Sequence, residues 1–420
     1  MASSRAQSKA DAYYHFAIAQ FLIQKGDIDG AIQEYKKAIT LDPDPLLHTE
    51  LAYLYIRKGN HNDAMVEAER AVKIGPDYAP AYLLLGSLYT VLKRDTEAIE
   101  AFKTTIRLDP ENQKAYIFLS TLYVENKEHA LAIDTLKRLV TVNPESLMGY
   151  YYLGRIEAER GRYDEARDYY LKAIDINPNF EAALVELGTV YELKKEINKA
   201  IEVYQKALEL QPRNTALRNR VGQLFIQQNK LEEALQQYKE LERFSTNKLD
   251  AMVKIGLIYF EQKRYDEAIV EFNLALAADP DTHRVRYYLA STYEEKGELN
   301  KAIEEFKKIP SEEKDVFVDA RIHLAFIYQK QGKVEEAVNA IKEAIKVRRE
   351  DVELYRLLAS IYKEANRLDD AIKVIQKALE IEPKNPQLHF TIGVLYDEAD
   401  LDDESIEAMK ETIRLKPDHA

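Results

Sequence analysis

Cysteine is absent from the 420-residue chain, which excludes disulfides, thiolate metal sites and a cysteine nucleophile in one step. A thiol-free chain suits an oxidising compartment, where stray thiols mispair. Tryptophan is absent as well. No apolar run approaches the roughly 20 residues that a membrane helix requires, so direct membrane insertion is not expected. Positive charge is in deficit: 59 Lys and Arg against 72 Asp and Glu give a net charge of -13 and a pI of about 5.3. An acidic surface repels phosphate backbones and anionic headgroups, which argues against nucleic acid and membrane surfaces as partners.

Catalytic signatures are missing too. No G-x-G-x-x-G or G-x-x-x-x-G-K-[ST] run offers a phosphate loop, and no H-E-x-x-H pair or G-x-S-x-G elbow occurs. The eight histidines are scattered, and no two have the spacing of helix-borne ligands. No cofactor, metal or enzymatic centre is expected. Residues 1–11 have no apolar segment of a signal peptide and read as a polar lead-in, which a processed export signal would also leave.

What is present is a clock. Pro43, Pro76, Pro110, Pro144, Pro178 and Pro212 stand 33 or 34 residues apart, and the series resumes at Pro280, Pro383 and Pro417. With proline as position 32, position 20 is alanine in eleven of twelve units, from Ala31 to Ala371, and Ser405 in the last. Position 8 is always Gly, Ala or Ser, as at Ala19, Gly86, Ser120 and Gly154. Position 11 is tyrosine in nine units, and position 24 is often aromatic, as at Tyr35, Phe102, Tyr170 and Tyr238. Positions 4, 7, 8 and 11 share one face of a first helix, and 20, 24 and 27 one face of a second. Small residues at 8 and 20 let the helices approach, rings fill the flanks, and proline stops the second helix. Eleven of the fourteen glycines sit at position 8 or at position 15, in the turn. Acidic pairs such as Glu335-Glu336 and Asp369-Asp370 follow that turn, where the dipole of the second helix favours negative charge.

A 34-residue helix–turn–helix unit of this pattern resembles the tetratricopeptide repeat (TPR) family, the fifth unit most closely through Gly154, Tyr163, Ala166, Tyr170, Ala173 and Pro178. The resemblance implies an all-α chain, an α-solenoid wound as a right-handed superhelix of about twelve units over residues 12–417. The units fall near 12–44, 45–78, 79–112, 113–146, 147–180, 181–214, 215–248, 249–282, 283–317, 318–351, 352–385 and 386–419. The early stop at Pro310 and the 35-residue step from Ala302 to Ala337 predict a local change of pitch at 309–320. The chain stops at Lys416-Pro417-Asp418-His419-Ala420, where a covering helix would start. A fragment of a longer protein, or self-association through the uncapped end, is expected.

By the same resemblance, positions 2, 5, 6, 9, 12 and 13 face or border a concave surface that takes a protein or peptide partner. Large rings recur there: Tyr13, Phe16, Tyr53, Phe118, Tyr151, Tyr152, Phe260, Tyr287, Tyr288, Phe326 and Phe390. Solvent-facing rings are favoured interface anchors, and the alternative is packing within or between repeats. The pairs Tyr151-Tyr152 and Tyr287-Tyr288 are the preferred contacts. Residues 211–230 carry Arg213, Arg218, Arg220 and Lys230 with no acid. Arg220 and Lys254 at position 6 of successive units, with Arg284 at position 2 of the next, would receive an acidic segment. Columns 6 and 9 hold no asparagine, so the carboxylate clamp of chaperone-binding TPR domains is not expected. The function expected is an interaction scaffold. The alternatives are an exported envelope factor, like the long bacterial TPR proteins that assist secretion, pilus or polysaccharide assembly, and the regulatory arm of an enzyme continuing beyond Ala420. Location is periplasmic or envelope-associated if a signal was removed, and otherwise cytoplasmic.

Overall fold

The structure is a computed structural model that describes residues 2–416, with the side chains of residues 2–6 excepted. Pro417 and His419, and with them the expected end of the last unit, lie outside the described residues. Among those residues every regular element is an α-helix, and the helices form two compact bodies, 1–212 and 213–420.

The first body holds six hairpins. They are α1 and α2 (Ala2–Lys25, Ile28–Leu41), α3 and α4 (Pro45–Arg57, His61–Ile74), and α5 and α6 (Ala79–Val91, Asp95–Leu108), then α7 and α8 (Gln113–Glu125, His129–Val142), α9 and α10 (Leu147–Glu159, Tyr163–Ile176), and α11 and α12 (Glu181–Leu193, Ile197–Leu210). The second holds six more. They are α13 and α14 (Thr215–Gln227, Leu231–Phe244), α15 and α16 (Leu249–Glu261, Tyr265–Ala278), and α17 and α18 (His283–Lys296, Leu299–Lys307), then α19 and α20 (Lys314–Lys330, Val334–Val347), α21 and α22 (Val352–Glu364, Leu368–Ile381), and α23 and α24 (Pro386–Glu398, Asp402–Leu415).

Within each body every helix packs on its hairpin partner and on the next hairpin, and substantial contacts reach no further than the next first helix. A hairpin this small cannot shelter its own apolar face, so its neighbours do so. Both bodies are α-solenoids. The alanines of position 20, from Ala31 to Ala371, are fully buried, with Ser405 nearly so. Position 8 meets the position-24 ring of its own unit. A Cβ built on Gly154 would lie 2.6 Å from Cε1 of Tyr170, and one on Gly256 2.6 Å from Cε1 of Phe272. The small residue therefore makes room for a ring as well as for a helix.

Local capping follows the sequence. Asn112 accepts from the Ala115 N–H and Asn214 from that of Leu217, and Asp44 accepts from Leu46 ahead of Pro45. Position 15 is left-handed in all twelve described turns: Gly26, Gly59, Gly161, Gly297 and Gly332 carry it, and Lys93, Lys127, Lys195, Asn229, Lys263, Asn366 and Asp400 adopt it without glycine.

Two departures stand out. Residues 2–11, set apart in sequence as a polar lead-in, continue the first helix, because nothing there breaks it. Ser8 ties that extension to the Leu41 carbonyl at 2.7 Å. At 309–320 the change is an exchange of helix length. α18 has 9 residues where its counterparts have 14, and α19 has 17 where most first helices have 13. Ile309 is buried in the shortened corner, and Arg321 caps the Phe306 carbonyl at 3.1 Å.

The acids that follow the turns lie in the first turn of the second helices, as at Glu335-Glu336 and Asp369-Asp370. Several also reach the next unit. Asp29 pairs with Lys58 and Asp164 with Lys194, while Asp266 meets Lys296 at 2.7 Å and Glu335 meets Arg367 at 2.5 Å. Solvent screens such pairs, so they bias register more than they hold it.

Candidate protein-binding face

In four units position 6 of the first helix lies against the position-24 ring of the unit before. Phe118 leans on Phe102 with centroids 5.6 Å apart, Tyr288 on Phe272 at 5.9 Å, and His323 stacks on Phe306 at 5.2 Å. Lys254 places its Nζ 5.5 Å above the Tyr238 ring. Position 5 packs on the same ring from within its own unit, as Phe16 does on Tyr35 at 5.9 Å and Tyr287 on Phe306 at 5.7 Å. Where position 24 is aromatic the floor is a buried ring, and what stands on it varies.

The position-24 hydroxyls divide into bonded and unbonded. Tyr35 accepts from the Gln20 amide at 2.6 Å, and Tyr204 bonds Thr189 at 3.1 Å and donates to Glu192 at 2.6 Å. The buried Tyr170 hydroxyl has no partner, and neither has that of Tyr238. Burial raises both phenols, Tyr238 to about 12, with Glu186 adding to the rise at Tyr170 and Asp250 to that at Tyr238.

The expected contact residues separate into two groups. Tyr53, Phe118 and Phe326 are exposed, at 41%, 41% and 44%. Tyr13 and Phe390 are exposed as well. Tyr151 and Tyr152 come together at 5.6 Å and are half-buried, Tyr151 also meeting Phe180 at 5.1 Å and Tyr170 at 6.1 Å. Tyr287 and Tyr288, 6.1 Å apart, are half-buried too, and the Tyr287 hydroxyl bonds His323 Nε2 at 3.0 Å. These pairs pack between repeats and offer an edge to solvent.

The basic set divides likewise. Arg220 and Arg284 are exposed on their helices. Lys254 is held by Asp250 at 2.5 Å and by the Asn219 carbonyl at 2.8 Å, so most of its charge is answered within the body. Arg218 is buried, against Gln237 at 3.3 Å and over Phe244 at 5.4 Å. Two residues that the sequence reading passed over stand at position 6, Glu50 and Glu186, both half-buried. Their signal is the position-6 column itself, where a carboxylate stands in place of the rings and bases of other units. Among the described residues no group of three or more His, Asp or Glu side chains is placed to hold a metal, and no helix is long and apolar enough to cross a membrane.

Sequence models of protein families match along the chain. Tetratricopeptide-repeat models cover residues 12–45, 259–317, 324–386 and 362–420, and the model of the tetratricopeptide repeat protein 21 C-terminal ARM domain covers 32–223. A comparison with curated proteins finds no match. Among solved structures, YrrB, described as a TPR protein with an unusual peptide-binding site, is 26% identical over 44% of this chain and 95% of its own, with a TM-score of 0.36. A tetratricopeptide repeat protein from Parabacteroides merdae is 18% identical over 59% of this chain and 98% of its own, at 0.40. Yeast Tom70 is 14% identical over 97% and 96%, at 0.35. Repeat spacing, stacked hairpins and family matches agree: the chain belongs to the tetratricopeptide-repeat family, whose helical scaffolds serve protein–protein interaction.

Proposed function

We propose that the chain captures protein partners on the faces formed by positions 2, 5, 6 and 9 of its first helices, an extended segment or a folded surface lying across the exposed rings. The observation that carries this reading is the exposure of Tyr53, Phe118 and Phe326 above two-fifths, with Phe118 leaning on the buried Phe102. Large rings left in water on a floor of that kind are what a partner's apolar side chains cover with most gain. An acidic segment is received in the second body by Arg220 and Arg284, with Lys254 contributing less because Asp250 already answers it.

Photo-crosslinking residues placed at Phe118 and Phe326 test the face against the exposed second-helix positions Leu171 and Val270. Adducts concentrated at the first pair support capture there. Equal yields at all four positions overturn it. Replacing Tyr151 and Tyr152 by alanine is expected to weaken retention of the same partner while helicity is kept.

A further inference from the structure

Glu50 is set into the second unit without a cation to answer it. It stands at position 6 of α3, half-buried, and burial raises its carboxyl, with no offsetting base among the described residues. Tyr53 is one helical turn further along the same face and 41% exposed. Tyr78, the residue before α5, is half-buried, and after burial the Glu50 carboxylate is the largest influence raising its phenol, followed by Asp44. Beneath them lies the fully buried Tyr35, whose hydroxyl is spent on Gln20. After burial, Glu50 is likewise the next influence on Tyr35 and Tyr53.

Tyr78 and Pro45 both border Gly75, and α3 packs directly on α5, so Tyr78 is held beside the helix that carries Glu50 and Tyr53, with Asp44 adding a second negative charge while it caps α3. In the fifth unit a base already stands among the rings, Arg155 lying over Tyr152 at 5.9 Å and 3.7 Å from Glu159. Elsewhere in the chain the position-6 slot holds a cation of its own: Lys254 sits on Tyr238 beside Asp250. The fold thus demonstrates that a cation fits on this floor, and at Glu50 the chain supplies none. A ring face and a carboxylate together attract a cation more strongly when both are partly out of water.

We infer that Glu50, Tyr53 and Tyr78 form a receptor for an arginine or lysine side chain carried by an extended segment of a protein partner. This rests on the proposed capture face and assigns its chemistry in the first body.

The test is fluorescence anisotropy of the full chain with two labelled twelve-residue peptides, one alternating arginine with glycine and one alternating glutamate with glycine. Glu50→Gln is compared with Glu202→Gln, which changes net charge equally at an exposed site on α12 already paired with Lys206 at 2.8 Å. The expected result is binding of the arginine peptide that is weakened roughly tenfold by Glu50→Gln and about fivefold by Tyr53→Ala and unchanged by Glu202→Gln, while any binding of the glutamate peptide, which the second body's bases would take, is not weakened by Glu50→Gln. Thermal melts of each variant confirm folding, and Glu50→Gln is expected to lose no stability, since it removes an unanswered charge. Equal weakening by the two glutamine variants reduces the effect to net charge and overturns the inference. So does absence of arginine-peptide binding, or equal weakening of both peptides by Glu50→Gln. Crosslinks that still concentrate at Phe118 and Phe326 in that event leave the wider capture face standing, whereas their loss defeats that reading separately.

Discussion

Three lysines in the first body stand in a conformation that L-residues avoid. Lys93, Lys127 and Lys195 have φ of 58°, 62° and 60° at position 15, where the equivalent residues of other units include Gly26, Gly59 and Gly161. The left-handed region costs a residue with a Cβ about 1–2 kcal/mol. Glycine returns ~0.5–1 kcal/mol of that through the greater freedom of its unfolded chain. The net gain is about 0.5–1 kcal/mol per turn, and all three side chains are exposed, with no hydrogen bond or ion pair recorded for them to lose. The turns share no partner, so the triple variant Lys93→Gly, Lys127→Gly, Lys195→Gly is expected to gain about 2 kcal/mol. In urea, followed by helical circular dichroism, that moves the first body's midpoint up by about 0.5–1 M. A triple Lys→Gln variant loses the same charge without relief of strain and serves as the control. The reciprocal change Gly161→Lys is expected to cost what one turn gains. A midpoint that is unchanged or lowered in the glycine variant, or raised equally in the glutamine variant, refutes the reasoning.

Gly154→Ala forces a methyl group to within about 2.6 Å of Tyr170 and is expected to destabilise the fifth unit by about 1–3 kcal/mol, read as a lower thermal midpoint and faster amide exchange in α9 and α10. Glu271 stands at position 23 with Oε2 buried without a partner among the described residues, whereas Glu305 at the same position of the next unit is answered by Arg286 at 2.9 Å. Burial raises its carboxyl above 4.5, with Glu242 adding to the rise. Its folded-state pKa exceeds the unfolded one, so the wild type is penalised at neutral pH and recovers as pH falls through the folded value. Glu271→Gln is therefore expected to stabilise by on the order of 1 kcal/mol at pH 7 and by progressively less in acid. A gain independent of pH would disprove that cause. Glu67 is the opposite case: burial raises its carboxyl, but His48 at 2.6 Å and Arg70 at 2.6 Å outweigh it and the net value is lowered. Stability from Glu67 is present above its unfolded value of about 4.5 and lost as pH falls through the lowered folded value, so the cost of Glu67→Gln is expected to shrink in strong acid.

The hairpins were legible because two constraints are written in single residues. Only a small side chain fits at position 20, and only proline both ends the second helix and keeps time along the chain. The turns were half legible: glycine announces the left-handed residue, but Lys93 or Asn366 at the same φ announces nothing, since neighbouring units impose the bend. Acids after the turn read as helix-dipole partners, and their bonds to the next unit, such as Glu335 to Arg367, depend on an inter-unit register that no single repeat contains. The rings were harder still. Position 5 and position 6 are adjacent in sequence, yet one packs on its own unit's ring and the other on the preceding unit's, so Tyr287 and Tyr288 touch different floors, Phe306 and Phe272. Composition on one helix face cannot reveal that each is half covered.

That division of labour has a consequence for how specificity is distributed. The floor at position 24 is buried, so changing it costs packing: Tyr35, Phe102, Tyr170, Phe272 and Phe306 are each 1% exposed or less. Position 6 bears on that floor from the solvent side, and there the first body carries Glu50, Phe118, Tyr152 and Glu186, while the second carries Arg220, Lys254, Tyr288 and His323. A substitution at position 6 alters the charge or shape offered to a partner while leaving the hairpin's own core intact. The two bodies therefore present opposite charges on the same kind of surface, the first free of bases at this position and the second free of acids. Exchanging Glu50 for lysine is then expected to abolish the first body's preference for the arginine peptide without loss of helicity, whereas an equal loss of helicity would show that position 6 belongs to the core after all.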